Sequence, residues 1–168
     1  MGYVHDTAMS QFIPCSLFHF STGTITDTAG VVSGTIVKHR AAANQTTLIT
    51  IPVLVPSNSV ALKGAYLKSV EIDYEIITAE PTSLTFTVNK VTRGADGAIA
   101  VVNAQAATSN LTASTSKTVD QHKAILTITA PFWVANTEYV LVEMALEAGG
   151  GGNTANFLGA VVNFTERI

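Results

Sequence analysis

Charge is what this chain has least of. Lys and Arg number 9 and Asp and Glu 12 in 168 residues, a charged share of 12%, about half of what soluble domains carry. Net charge is −3 and no Lys/Arg cluster occurs, which removes recognition of nucleic acid through its phosphates. Cysteine occurs once, at Cys15, so no disulfide can close within the chain. With no catalytic partner beside it, that thiol reads as a buried structural group rather than a nucleophile. Long apolar runs are also missing. Apolar residues make up 47%, yet no run approaches the roughly 20 residues that cross a bilayer as a helix. The opening MGYVHDTAMSQF has no basic segment leading into an apolar stretch, so it does not read as a secretory signal. Asp6 stands where a myristoylation site on Gly2 would carry Ser or Thr.

A chain this apolar and this poorly charged has more apolar surface than one core takes up. Contact between subunits is the simplest outlet, so a homo-oligomer is expected. The length suits one domain with a sizeable core.

Helix signals are scarce, and Thr, Val and Ile are abundant, types that suit a pleated surface. In YLKSVEIDYEIIT, Val70, Ile72, Tyr74 and Ile76 fall on one face and Ser69, Glu71, Asp73 and Glu75 on the other. Strict period two is a strand with one wet face. SLTFTVNKVT puts Leu84, Phe86 and Val88 inward, and KAILTITAPFW does the same with Ala124, Leu126 and Ile128. EYVLVEMALEA aligns Val140, Val142, Met144 and Leu146. TTLITIPVLVP is apolar on both faces, which predicts a strand covered on both sides or lying at a subunit contact. Pro52 within it points to an edge or a bulge. SLFHFSTGTIT and GVVSGTIVKHR are further strand candidates, and 101–120 reads as one irregular strand plus a long loop. A short helix has room only in 1–12 or 40–46. Turn chemistry separates the runs at 56–59, 79–83, 93–98 and 130–138. The expectation is an all-β, antiparallel β-sandwich, jelly-roll-like, of about 8 strands. Residues 17–168 form that single domain, with 1–16 as an N-terminal arm.

The run GGGGNT at 149–154 follows a strand, but ANFLGAVVNFT after it is β-branched and aromatic, and no Lys follows. A phosphate loop needs a helix and a Lys there. The glycines read as a hairpin loop between the last two strands.

The chemistry-bearing residues are few. Glu71, Asp73 and Glu75 would meet Glu143 and Glu147 only if their strands were neighbours, and calcium favours such carboxylate groups. Alternation alone already puts charges on a wet face. His5, His19, His39 and His122 are too far apart in sequence for a close-spaced zinc pattern. In FHF, His19 is expected on the face opposite Phe18 and Phe20. Trp133, the one Trp, sits beside Pro131 and reads as part of a turn, away from the acids. Asn44, Asn110 and Asn163 begin Asn-X-Thr triplets, frequent by chance in a Thr-rich chain. No GxSxG elbow occurs. No catalytic, cofactor-binding or metal residue emerges, and no enzyme is expected.

The order of features resembles a known group. STGT and HRAAANQTTLITIPV come first, then LKSVEIDYEIITA, PTSLTFTVNKVT, HKAILTITAPFWVANTEYVLVEMAL and a closing FLGAVVNFT. This is similar to the small all-β structural proteins of tailed-bacteriophage virions, namely capsid decoration (cement) proteins and fibre-head domains. The resemblance implies a non-enzymatic virion component that stabilises a capsid as an oligomer, with a trimer favoured. It also implies a major capsid or other virion protein as partner, the virion as location, and no nucleic acid, membrane or cofactor. Its alternative is a receptor- or carbohydrate-binding head that works through loops 93–98, 103–118 and 149–156. FLGAVVNF is also similar to the closing strand of trimeric jelly rolls of the tumour-necrosis-factor and complement-head type. There an aromatic-x-Gly pattern lies near the threefold axis; on the residues alone Gly159 equally marks a bulge.

Overall fold

The structure, a computed structural model, describes residues 5–29, 36–42, 45–57, 64–96, 98–148 and 152–167. Among them twelve strands build two antiparallel sheets. The first sheet runs β3 (Ile25–Ala29), β4 (Ile36–Arg40), β12 (Ala155–Arg167), β6 (Gly64–Ile76), β10 (Gln121–Trp133), β9 (Ala107–Ser109). A further strand, β1 (Asp6–Pro14), also pairs with β12. The second sheet runs β2 (His19–Phe20), β5 (Thr47–Val53), β11 (Glu138–Glu147), β7 (Ser83–Arg93), β8 (Ile99–Gln105).

Two four-strand orders lie at its centre, β4-β12-β6-β10 in one sheet and β5-β11-β7-β8 in the other. Apart from the β7–β8 hairpin, the chain passes from one sheet to the other at each step among these eight strands. That alternation is the double-sheet path of a jelly roll; the sandwich agrees with the alternation in the sequence and these eight strands with the expected number, while β1, β2, β3 and β9 add four short or flanking strands beyond it.

The core follows from that alternation. Val70, Ile72, Tyr74 and Ile76 of β6 pack in one buried cluster with Val140, Val142, Met144 and Leu146 of β11 and Ile49, Ile51 and Val53 of β5. Burying each such side chain contributes about 1.5–3 kcal/mol. The opposite face of β5 is not covered: Leu48 is 38% exposed. Pro52 is tolerated because β2 covers only Ile49 and Thr50 of that edge. Tyr74 donates to the Ser116 carbonyl at 2.6 Å, which pins the 110–120 loop over one end of the core.

Arg40 is fully buried. Its Nε donates to Thr47 Oγ1 at 2.7 Å, its Nη1 to Asn153 O and Oδ1 at 2.9 and 2.6 Å, and its Nη2 to Gln45 O at 2.9 Å. One side chain thus ties the β4–β5 connection to the segment that leads into β12.

Several expectations are corrected. Since β11 and β12 lie in different sheets, the glycine run is a crossover between sheets rather than a hairpin; Gly149–Gly151 themselves fall outside the described residues. No α-helix occurs among the described residues: 6–12 belong to β1, Arg40 closes β4, and residues 1–4 and 43–44 are not described. Within SLFHFSTGTIT a 3-10 turn, Cys15–Leu17, precedes the two-residue β2, and β3 begins at Ile25. Trp133 ends a strand instead of lying in a turn, because β10 runs on through Pro131 after an irregularity between Thr127 and Phe132. Among the described residues no helix is long and apolar enough to cross a membrane.

Candidate ligand-binding cleft

The outer face of the first sheet carries two different surfaces. One is a hydrogen-bonded ladder. Ser10 Oγ donates to Asn163 Oδ1 at 2.6 Å, and Asn163 Nδ2 donates to Glu71 Oε1 at 2.8 Å. Glu71 in turn meets Lys123 at 3.5 Å. Asn156 bridges likewise, giving a hydrogen bond to Glu75 at 2.8 Å and accepting one from His39 at 2.8 Å. The acidic stripe therefore engages amides, a lysine and β1. Glu143 and Glu147 lie on β11 in the other sheet and do not join it. Among the described residues no three His, Cys, Asp or Glu side chains are grouped to hold a metal.

The other surface is a cleft of about 530 Å³ at the end of the sheet, within the range of about 300–1,000 Å³ usual for small-molecule sites. Ala8, Thr165, Tyr66 and Trp133 stand side by side on β1, β12, β6 and β10, and Asp6 lies opposite Arg167. Ala65 and Leu67 point into the core, so Tyr66 points outward. Its ring meets that of Trp133 at a centroid distance of 4.9 Å and an angle of 44°. The Arg167 guanidinium lies over the Trp133 ring at 4.9 Å. Asp6 holds the same guanidinium by two bonds, from Nε at 2.6 Å and from Nη2 at 2.8 Å. These bonds hold the Asp6 carboxyl below, and the guanidinium above, their ordinary values.

Lys68 lines the cleft because of a fault in the sheet. Leu67 and Ser69 pair with Phe164 and Asn163 on β12, and with Phe132 and Thr127 on β10. Lys68 has a partner on neither side. It is the bulged residue, and both it and Ser69 turn outward between buried Leu67 and Val70. Bulges re-aim side chains in this way. Among the described residues Lys68 makes no salt bridge, and its charge reaches Asp6 only at longer range. Thr165 also lines the cleft. It is 8% exposed, and its Oγ1 has no hydrogen-bond partner among the described residues, an arrangement that costs stability unless something binds there.

The remaining sequence candidates lie elsewhere. Cys15 is buried, with Sγ 3.5 Å from the Ile36 carbonyl oxygen. His19 is exposed opposite buried Phe18, as the FHF pattern predicts. His122 stacks on Tyr74 at 5.0 Å and contacts the Thr118 carbonyl. Asn110 bonds the backbone of Ile125 and Lys123, and Asn44 is outside the described residues. Of the candidate loops, 93–98 closes the β7–β8 hairpin, 103–118 borders a separate groove of about 440 Å³, and 149–156 is described only from Gly152. Among the described residues none of the three forms the cleft. Gly159 adjoins a bulge: β12 slips against β6 between Phe157 and Gly159. The Phe12 ring of β1 covers it, and a Cβ there would lie 2.6 Å from Phe12 Cζ.

No family model matches this chain, and no curated protein matches it. Among solved structures it is similar to a carbohydrate-binding module from the β-sandwich superfamily, at 11% identity and TM-score 0.46, covering 97% of this chain and 56% of that one. It is also similar to the CBM22-1–GH10 modules of an endo-1,4-β-D-xylanase 10B of Clostridium thermocellum complexed with xylohexaose. That match has 8% identity and TM-score 0.45, and covers 94% of this chain and 28% of the other. An arabinose-bound α-L-arabinofuranosidase matches at 12% identity and TM-score 0.44, over 92% and 24%. The chain thus spans about half the length of the first and about a quarter of the other two. The fold assignment rests on the strand order.

Proposed function

We propose that this protein is a non-enzymatic binding module that takes carbohydrate in the cleft on the outer face of the first sheet. The observation that carries the reading is the Tyr66–Trp133 ring pair beside a fixed guanidinium and an unpartnered hydroxyl. Sugar rings offer apolar C–H faces to aromatic side chains and hydroxyls to polar ones, so both halves of such a ligand find a counterpart here. All these groups stand on strands, which hold a site more rigidly than loops do. A receptor-binding head on a virion fibre is one setting for such a module.

The test is a glycan array probed with the wild-type protein and Trp133→Ala. Binding by the wild type, weakened about tenfold or more by the substitution, is the expected outcome, since removal of an aromatic anchor costs about 1.4 kcal/mol or more. Absence of binding to every glycan overturns the reading.

A capsid-decoration role is the second reading. The β8 edge favours it, for Val101 and Val102 are 46% and 56% exposed on a strand without a charged residue. Such an edge invites pairing with another chain.

A further inference from the structure

We infer that the cleft selects an acidic sugar, one whose ring carries a carboxylate. This rests on the carbohydrate reading above and goes further, because the groups present are not those a neutral sugar requires. Three charged side chains line the cleft: Asp6, Lys68 and Arg167. Their formal charges sum to +1 in a chain whose net charge is −3. The one carboxylate is already engaged by the guanidinium.

The geometry of that engagement matters. A guanidinium has five N–H donors in a planar fork. Asp6 takes one from Nε and one from Nη2, which leaves both Nη1 donors and one of Nη2. One Nη1 donor and the free Nη2 donor form the outer edge of the fork, an edge that grips a planar carboxylate through two parallel bonds. Asp6 below and the Trp133 ring beside it fix the plane of the guanidinium before any ligand arrives, so little rotamer freedom is lost on binding. Lys68 supplies the second cation. The bulge removes its neighbours on both strands, and its ammonium has no partner among the described residues to surrender. Thr165 supplies a hydroxyl already withdrawn from water and unbonded, suited to a ring hydroxyl beside the carboxylate. Tyr66 and Trp133 provide the apolar wall.

The experiment is isothermal titration with a panel of uronate oligosaccharides (galacturonate, glucuronate and mannuronate series) and their methyl esters, which keep the ring and remove the charge. At least one acid series should bind on the order of tenfold more tightly than its ester, the difference expected of one charge-assisted bond, and added salt should shrink the gap. Lys68→Gln should abolish the preference. Thr165→Val should weaken binding while leaving the melting temperature unchanged or higher, since it removes an unbonded buried hydroxyl; a purely structural threonine would not separate the two readouts. Esters that bind as tightly as the acids, or a silent Lys68→Gln, overturn the acidic selectivity and leave the carbohydrate reading standing. Failure of every acid, ester and neutral glycan overturns both.

Discussion

Arg40 gathers four hydrogen bonds on one buried side chain. Its guanidinium, held below its ordinary pKa by burial, satisfies the carbonyls of Gln45 and Asn153 and the Thr47 hydroxyl. Arg40→Leu leaves the Thr47 and Asn153 acceptors buried and unbonded, at about 1–3 kcal/mol for each fully desolvated group, while the carbonyl of exposed Gln45 can turn to water. The expected loss is about 3 kcal/mol or more by urea denaturation, whereas a change under 1 kcal/mol would show that the segment rearranges freely. Asp73 makes the opposite case. Burial holds its carboxyl above the ordinary value, with Lys123 opposing and Glu71 adding to the effect. The folded protein therefore binds that proton more tightly than the unfolded chain does. Stability falls as pH rises from the ordinary carboxylate value through the raised one, and the penalty is complete above it. Asp73→Asn, uncharged throughout, should melt higher than wild type at neutral pH and level with it at about pH 3, below the ordinary value. Equal melting at both pH values would mean that the carboxylate finds compensation when ionised.

At the scale of elements, the seam between β1 and β12 is sensitive to one glycine. A Cβ on Gly159 would meet Phe12 Cζ at 2.6 Å and the Ile13 carbonyl at 3.0 Å. The ring is 60% exposed and can swing away; the carbonyl cannot. Gly159→Ala should cost about 1–3 kcal/mol, and Phe12→Ala in the same chain should recover part of that cost, a coupling that a double-mutant cycle reads directly. Additive effects would place the strain in the backbone alone. The same elements show how far sequence reaches. From Val70 to Ile76 the period of two is unbroken, and those residues are buried as it predicts. Two residues upstream the pattern breaks: Leu67 and Val70, both buried, are three apart. That spacing is the trace of the bulge at Lys68, the available clue to a site residue that the alternation does not otherwise mark. Trp133 was hidden by its setting, since Pro131 and the polar residues after it imitate a turn. Tyr66, Thr165 and Arg167 meet only through cross-strand register, a long-range property that no local pattern encodes. The jelly-roll path was legible only as a class, because period two fixes which face is buried and not which strands are neighbours.

At the scale of the whole molecule, the β8 edge presents seven uncharged residues in a row, against three on the uncharged β9 edge of the other sheet. β8 closes the second sheet with IAVVNAQ, a strand without charge or proline, and natural edges usually carry one or the other. Light scattering after gel filtration should give a multiple of 17.6 kDa, and Val101→Lys with Val102→Lys should return it to a monomer. A monomeric wild type would remove the oligomeric reading and leave the cleft untouched.

Residues 6 and 167 sit opposite each other at one end of an antiparallel ladder whose far end is Pro14 against Gly159. Tension applied across those two points peels this seam one rung at a time, starting at the Asp6–Arg167 bond, rather than shearing all its bonds together. The wall of the cleft is therefore the first thing such a load parts, so any hold of the proposed site on a ligand would weaken under a pull in that direction while the sandwich behind it stays whole.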